Sequence, residues 1–107
     1  MTETFTQRGG IRVGEGLFSA FNATWPFATL FASPTQLFLS CFSYEYSFKP
    51  ESIRRLSKHR GLFSTGMRIE HAVPSYPLFL VFWTFRFHAL KQRLTEMGYK
   101  VEDESSG

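Results

Sequence analysis

The stretch "GLFSTGMRIEHAVPSYPLFLVFW", residues 61–83, decides the fold. Its first half alternates: Met67 and Ile69, with His71 behind them, fall on one side of an extended chain, and Arg68 and Glu70 fall on the other. That period of two reads as the return strand of a hairpin that turns at Gly61. After a loop bracketed by Pro74 and Pro77, an apolar run from Leu78 to Phe85 is interrupted only by Thr84. A strand with no polar alternation is a strand covered on both faces. The same geometry removes a catalytic reading, because adjacent strand residues point to opposite faces and Glu70 and His71 cannot then act as one dyad.

Upstream, "QLFLSCF" (36–42) places Leu37, Leu39 and Cys41 on one face and Phe38, Ser40 and Phe42 on the other. "YEYSF" (44–48) sets Tyr44, Tyr46 and Phe48 inward against Glu45 and Ser47. "SPT" (33–35) is turn chemistry, and "KPES" (49–52) has the composition of one helical turn before "IRRLSKH" resumes extended chain. Further back, "GLFSAFN" and "FATLFAS" read as two strands separated at "ATWP", since Pro26 cannot donate to a ladder. "GGIRVGEG" (9–16) holds four of the eight glycines, yet no Gly-Lys-Ser/Thr follows it, so it reads as a lead-in or turn and not as a phosphate loop.

Downstream the period changes. Trp83, Phe87, Leu90, Leu94 and Met97 recur at helical spacing, with Lys91, Gln92 and Glu96 off the stripe and Gly98 as the stop. A helix is predicted from about Thr84 to Met97. Phe85 falls outside its stripe, so either the strand extends to it or one aromatic is left exposed for an interface.

At 107 residues the chain is one domain's length. Apolar residues are 43% and the 13 phenylalanines lift the aromatic share to 18%, so a few large side chains fill the core. A net charge of +3 is too small to name an anionic partner from bulk charge. The single cysteine, Cys41, excludes an internal disulfide, and a cytoplasmic location is the default expectation. "MTETFTQRGG" lacks a basic start followed by an apolar stretch and reads as a polar arm. The longest apolar run is about half of the roughly 20 residues a membrane-spanning helix needs.

The expected organisation is a flexible arm at 1–15, one domain at 16–99 and an acidic tail at 100–107. The expected fold is mainly β with one C-terminal α-helix: a small barrel of two antiparallel sheets, six to seven strands in all, capped by that helix. Phe48 followed five residues later by Ile53, "GMRIEH" before an aromatic strand, and "ALKQRLTEMGY" as the closing helix resemble the pleckstrin-homology-like superfamily, particularly its small bacterial and GRAM-like versions. The resemblance implies that barrel and a binding activity. The phosphoinositide site it also implies, basic residues after the first strand, transfers to no position here, because "NATWP" carries no Lys or Arg.

The basic residues lie instead in "IRRLSKHRG", where Arg54, Arg55, Lys58 and Arg60 form the candidate anion-binding set. Nucleic acid is not an expected partner on this reading, because most of the aromatic residues that interleave with basic ones in "FWTFRFHALKQR" are assigned to the core and the helix stripe. Cys41 sits mid-strand among apolar neighbours, where a thiol is inert filling. His59, His71 and His88 have no short-spaced pair, so neither a metal nor another cofactor is expected. The expected function is a non-catalytic binding or adaptor domain, attached weakly to anionic membrane surfaces, peripheral to the membrane, through the basic set. The alternative is a protein-binding or self-assembling module, a homo-oligomer whose interface includes Phe85.

Overall fold

The computed structural model describes residues 3–14, 21–61 and 64–103. Eight strands form one sheet: β1 (Phe5–Val13), β2 (Phe21–Ser33), β3 (Gln36–Cys41), β4 (Tyr44–Phe48), β5 (Ile53–Arg60), β6 (Thr65–His71), β7 (Leu80–Trp83) and β8 (Val101–Glu102). The helix α1 (Phe87–Glu96) lies between β7 and β8, and a single 3-10 turn (Pro50–Ser52) joins β4 to β5. Strand order is β4-β3-β2-β1-β7-β6-β5-β8. Two antiparallel meanders, β1 to β4 and β5 to β7, are therefore joined where β1 pairs with β7.

The fold is mainly β with a helix near the C-terminus, as expected, but the sheet is partitioned differently. Eight strands in one continuous sheet replace six or seven in two. The sheet curls instead of splitting, because alternate residues of nearly every strand must cover the same core: Ile11, Leu30, Leu39, Phe48, Leu56, Met67, Ile69, Leu80 and Phe82 are all essentially inaccessible. The curl brings β4 against the far meander, with the Phe48 ring 5.1 Å from His71 on β6 and 5.4 Å from Tyr76. The Tyr76 hydroxyl also accepts from the Ser47 backbone N–H on the outer edge of β4, which covers part of that edge.

Residues 5–13, expected in a flexible arm, form the strand that joins the two meanders. The two glycines of "GG" lie within it, where closely approaching neighbours exclude a larger side chain. The tail also begins later than expected, since Val101 and Glu102 add a short parallel edge to β5. Residues 104–107 and the start of "GLFSAFN" lie outside the described residues. From Phe21 on, β2 is one strand where two were expected. Its pairing with β1 shifts register between Gly9 and Ile11, and its pairing with β3 begins only at Ala28. Pro26 therefore stands where no ladder bond is required of it.

The helix buries Phe87, Leu90 and Leu94 against the inner face. Its N-terminus is held by Thr84, whose Oγ1 accepts from the Arg86 backbone N–H. At its other end Gly98 takes a positive φ of 101°, and Tyr99 N–H bonds to Leu94 O while Gly98 N–H bonds to Thr95 O. That is a Schellman stop, and it turns the chain toward β8. None of the described helices is long and apolar enough to cross a membrane, which says nothing of crossing by strands.

Candidate binding cleft on the convex face

Because the helix and core occupy the concave side, the other half of each strand's side chains face outward. Directly paired residues share a face, so the registers define rows across the sheet. One outward row runs Asn22, Arg12, Val81, Arg68, Ser57 across β2, β1, β7, β6 and β5. The adjacent row runs Gly10, Trp83, Gly66, His59. A Cβ at Gly66 would stand 2.4 Å from the Phe82 carbonyl oxygen and 2.9 Å from Val81 Cγ1, so this position takes no side chain without displacing the neighbouring strand.

Over these rows opens a cleft of about 570 Å³, with Arg12, Trp25, His59, Phe79, Trp83 and Phe85 among its walls. That volume is in the range of small-ligand sites. Trp83 forms the floor, its Nε1–H donating to Asn22 Oδ1 at 3.1 Å. The His59 ring stands edge-on to Phe79 at 5.6 Å and leans on Trp83 at 5.7 Å. Burial, reinforced by the nearby charge of Arg68, pushes the His59 pKa down and favours the neutral ring. At the mouth Trp25 and Phe85 lie 6.4 Å apart and remain 53% and 81% exposed.

The positive charges are Arg12 in the cleft wall and Arg68 beside it. Among the described residues, Arg12 and Arg68 form no ion pair and the buried Arg68 Nε has no hydrogen-bond acceptor. The Arg68 guanidinium lies over the Phe79 ring at 5.1 Å. The cleft thus combines apolar ring faces, the Arg12 guanidinium and a neutral imidazole, with the Arg68 guanidinium beside it against Phe79, a set suited to holding a planar or apolar group that carries negative charge.

The candidate set from the 54–60 run is differently placed. Arg55 lies on the outward face, where its Nε and Nη2 donate to the two Glu102 carboxylate oxygens at 2.9 and 3.1 Å and Glu70 lies 3.8 Å away. The hydrogen bond to Glu102 raises the Arg55 pKa and lowers that of Glu102. Lys58 pairs with the buried Met67, so it points to the concave side, with its Nζ 5.4 Å from the centre of the Phe87 ring. Arg54 and Arg60 are exposed. Strand alternation therefore divides the four charges between two faces and engages two of them, and they do not make one continuous patch.

The histidine and cysteine readings correspond to structural roles. His71 is buried, one ring nitrogen against Pro77 O at 2.8 Å and the other accepting from the Val73 backbone N–H at 3.1 Å. Cys41 is 1% exposed in the core, and burial raises its pKa. Phe85, set apart by the helix stripe, does stand exposed. Sequence reasoning missed Arg12, Trp25 and Trp83. The one legible signal was Arg12 between Ile11 and Val13, a charge alternating with apolar residues in a segment assigned to the arm.

No family model matches the sequence, and a search of curated proteins returns no match. Among solved structures, SsgB of Streptomyces coelicolor, described for mutations that correlate with longitudinal cell division during sporulation, is similar in fold. The TM-score is 0.53 at 14% identity, covering 91% of this chain and 87% of that one. At that identity the likeness is one of fold alone.

Proposed function

We propose that the chain is a non-catalytic binding module whose ligand site is the convex cleft. The observation that carries this is the exposure of Trp25 and Phe85 at the mouth of a cleft whose Arg12 forms no ion pair with a described residue. Large rings left in water beside an open cavity mark a surface meant to be covered. A binding role is supported further by the engagement of His71 and the burial of Cys41, which leaves neither as a free base or nucleophile. The pleckstrin-homology-like reading belongs to the same proposal, supported by seven strands preceding the helix α1, with the two-residue β8 after it. The fold shared with SsgB, a protein tied to cell division during sporulation, is compatible with a binding role and names no ligand.

The test is a titration with an anilinonaphthalene sulfonate dye, an anionic aromatic probe, followed by dye emission and tryptophan quenching. Saturable binding to the folded protein is expected, weakened by about tenfold or more in a Trp25→Ala, Phe85→Ala variant, a loss equivalent to about 1.4 kcal/mol. Absence of saturable binding, or binding indifferent to these residues in a variant that still folds, refutes the site. Attachment to an anionic membrane is a second reading, which the exposed Arg54 and Arg60 favour and the pairing of Arg55 disfavours. Salt-sensitive sedimentation with anionic vesicles, lost in Arg54→Glu with Arg60→Glu, would support it.

A further inference from the structure

Beyond the cleft, the convex face of β1, β2 and β3 carries a line of rings. Ala28, Leu30 and Ala32 of β2 are buried on the concave side, so Phe27, Thr29 and Phe31 point outward at intervals of roughly 6.6 Å. Each ring has a neighbour across or beside the strand. Phe27 stacks on Phe42 at 5.5 Å and 28°, Phe31 lies 6.1 Å from Phe38, and Trp25 meets Phe85 at the cleft. Phe27, Phe31 and Phe42 are 54%, 46% and 69% exposed. The expectation of no nucleic-acid partner rested on the aromatic residues of 82–93 alone; these rings lie outside that stretch, and within it Trp83 and Phe85 line the cleft and not the core.

The charges follow the rings. Arg8 pairs with Thr29, which puts its exposed side chain on the same face between Phe27 and Phe31. Arg12 in the cleft wall and Arg68 beside it, over Phe79, continue the positive side, and none of the three forms an ion pair with a described residue. Glu45 lies at the far edge of the row containing Arg8, and the acids nearest Arg68, Glu70 on β6 and Glu102 at the end of its row, face Arg55. We propose that this convex face binds single-stranded nucleic acid, with bases on the Phe31, Phe27 and Trp25 rings and phosphates at Arg8, Arg12 and Arg68. The inference rests on the reading of the chain as a binding module. Open ring faces in sequence beside cations are what a single strand uses, because every base has a stacking face and every nucleotide a phosphate. A peptide added as an extra strand is disfavoured, since β1 and β2 are interior strands with both edges largely paired.

The experiment is fluorescence anisotropy with a fluorescein-labelled oligothymidylate of about 12 nucleotides, a length within the usual site sizes. Three phosphate contacts on a single strand give a salt slope near −2, so binding should weaken about 20-fold between roughly 50 and 200 mM salt. Arg8→Gln with Arg12→Gln should flatten that slope to about −0.7. Phe27→Ala with Phe31→Ala should weaken binding by about tenfold or more and leave the slope unchanged. Circular dichroism and unfolding midpoints establish that each variant is folded, and Arg54→Gln with Arg60→Gln serves as a charge control away from the rings. The proposal is overturned if the strand fails to bind, if duplex or polyglutamate competes as well as the single strand, or if only the control variant loses binding. Dye binding without strand binding overturns this inference alone, whereas loss of both removes the cleft reading as well.

Discussion

Replacing Gly66 by alanine tests the packing on which the convex face is built. Gly66 has no positive φ, so its backbone conformation is open to alanine. At such a site the substitution ordinarily stabilises by roughly 0.4–1 kcal/mol, through the entropy it removes from the unfolded chain. Here the new methyl would be placed 2.4 Å from the Phe82 carbonyl oxygen and 2.9 Å from Val81 Cγ1. The first of these atoms belongs to the backbone of β7, which is held between β1 and β6 and cannot swing aside as a side chain can. Overpacking of this kind costs about 1–3 kcal/mol. Net of the entropic gain, a destabilisation of about 1–2 kcal/mol is expected, so the sign is reversed from the ordinary case. For a domain of this size that lowers the midpoint by roughly 5–10 °C. Thermal and urea unfolding followed by circular dichroism measure it, with the urea slope unchanged if the native state is otherwise the same. An unchanged or raised midpoint would show that β6 and β7 do not approach as described, and the floor of the cleft would have to be redrawn.

Three further outcomes are expected. The depressed pKa of His59 means that the unfolded chain takes up the proton first, so stability is intact above the ordinary value of 6.5 and declines as pH falls below it. His59→Gln should flatten the midpoint's pH dependence between about pH 7.5 and 5, and an unchanged slope would contradict the buried placement of the ring. Glu102 and Asp103, held below their ordinary values of 4.5 and 3.8 by hydrogen bonds from Arg55 and Lys91, contribute stability that is present above those values and lost as pH falls through the lower folded ones. Glu102→Gln should therefore reduce the acid-limb loss and speed amide exchange at Val101, and retained protection there would mean that the β5–β8 pairing does not depend on the ion pair. Cys41, 1% exposed with its pKa raised by burial, should react with a thiol reagent only at the rate of unfolding. Fast labelling under native conditions would place it outside the core.

Much of the fold could be read locally. The alternation in "QLFLSC" and "TGMRIEH", the unbroken apolarity of "LVFW" and the helical stripe ending at Gly98 each carry their own period, and a strand or helix period depends on nothing beyond neighbouring residues. The basic run in "IRRLSKHR" was equally visible, but its meaning was not. Whether four cations form a patch depends on which face each takes and on what lies across the strand, and Glu102, 47 residues from Arg55, appears as its partner only once β8 has docked. The site was less legible still, because composition does not distinguish an exposed phenylalanine from a buried one.

What the sequence determined by itself is the strands β3 to β7 with the helix after them, the inward half of their core and the absence of an internal disulfide, since these follow from local periodicity and from a count of one cysteine. What only the tertiary structure decided is that β1 joins two meanders, that the eight strands form a single curled sheet, and that Arg8, Arg12, Arg68, Trp25 and Phe85 stand on its outer face. The reason lies in pairing. A strand's pattern states that it has an inside and an outside, but which strands lie beside it, and so which outward side chains become neighbours, is fixed by long-range register. That register is set only when the whole chain closes on one core.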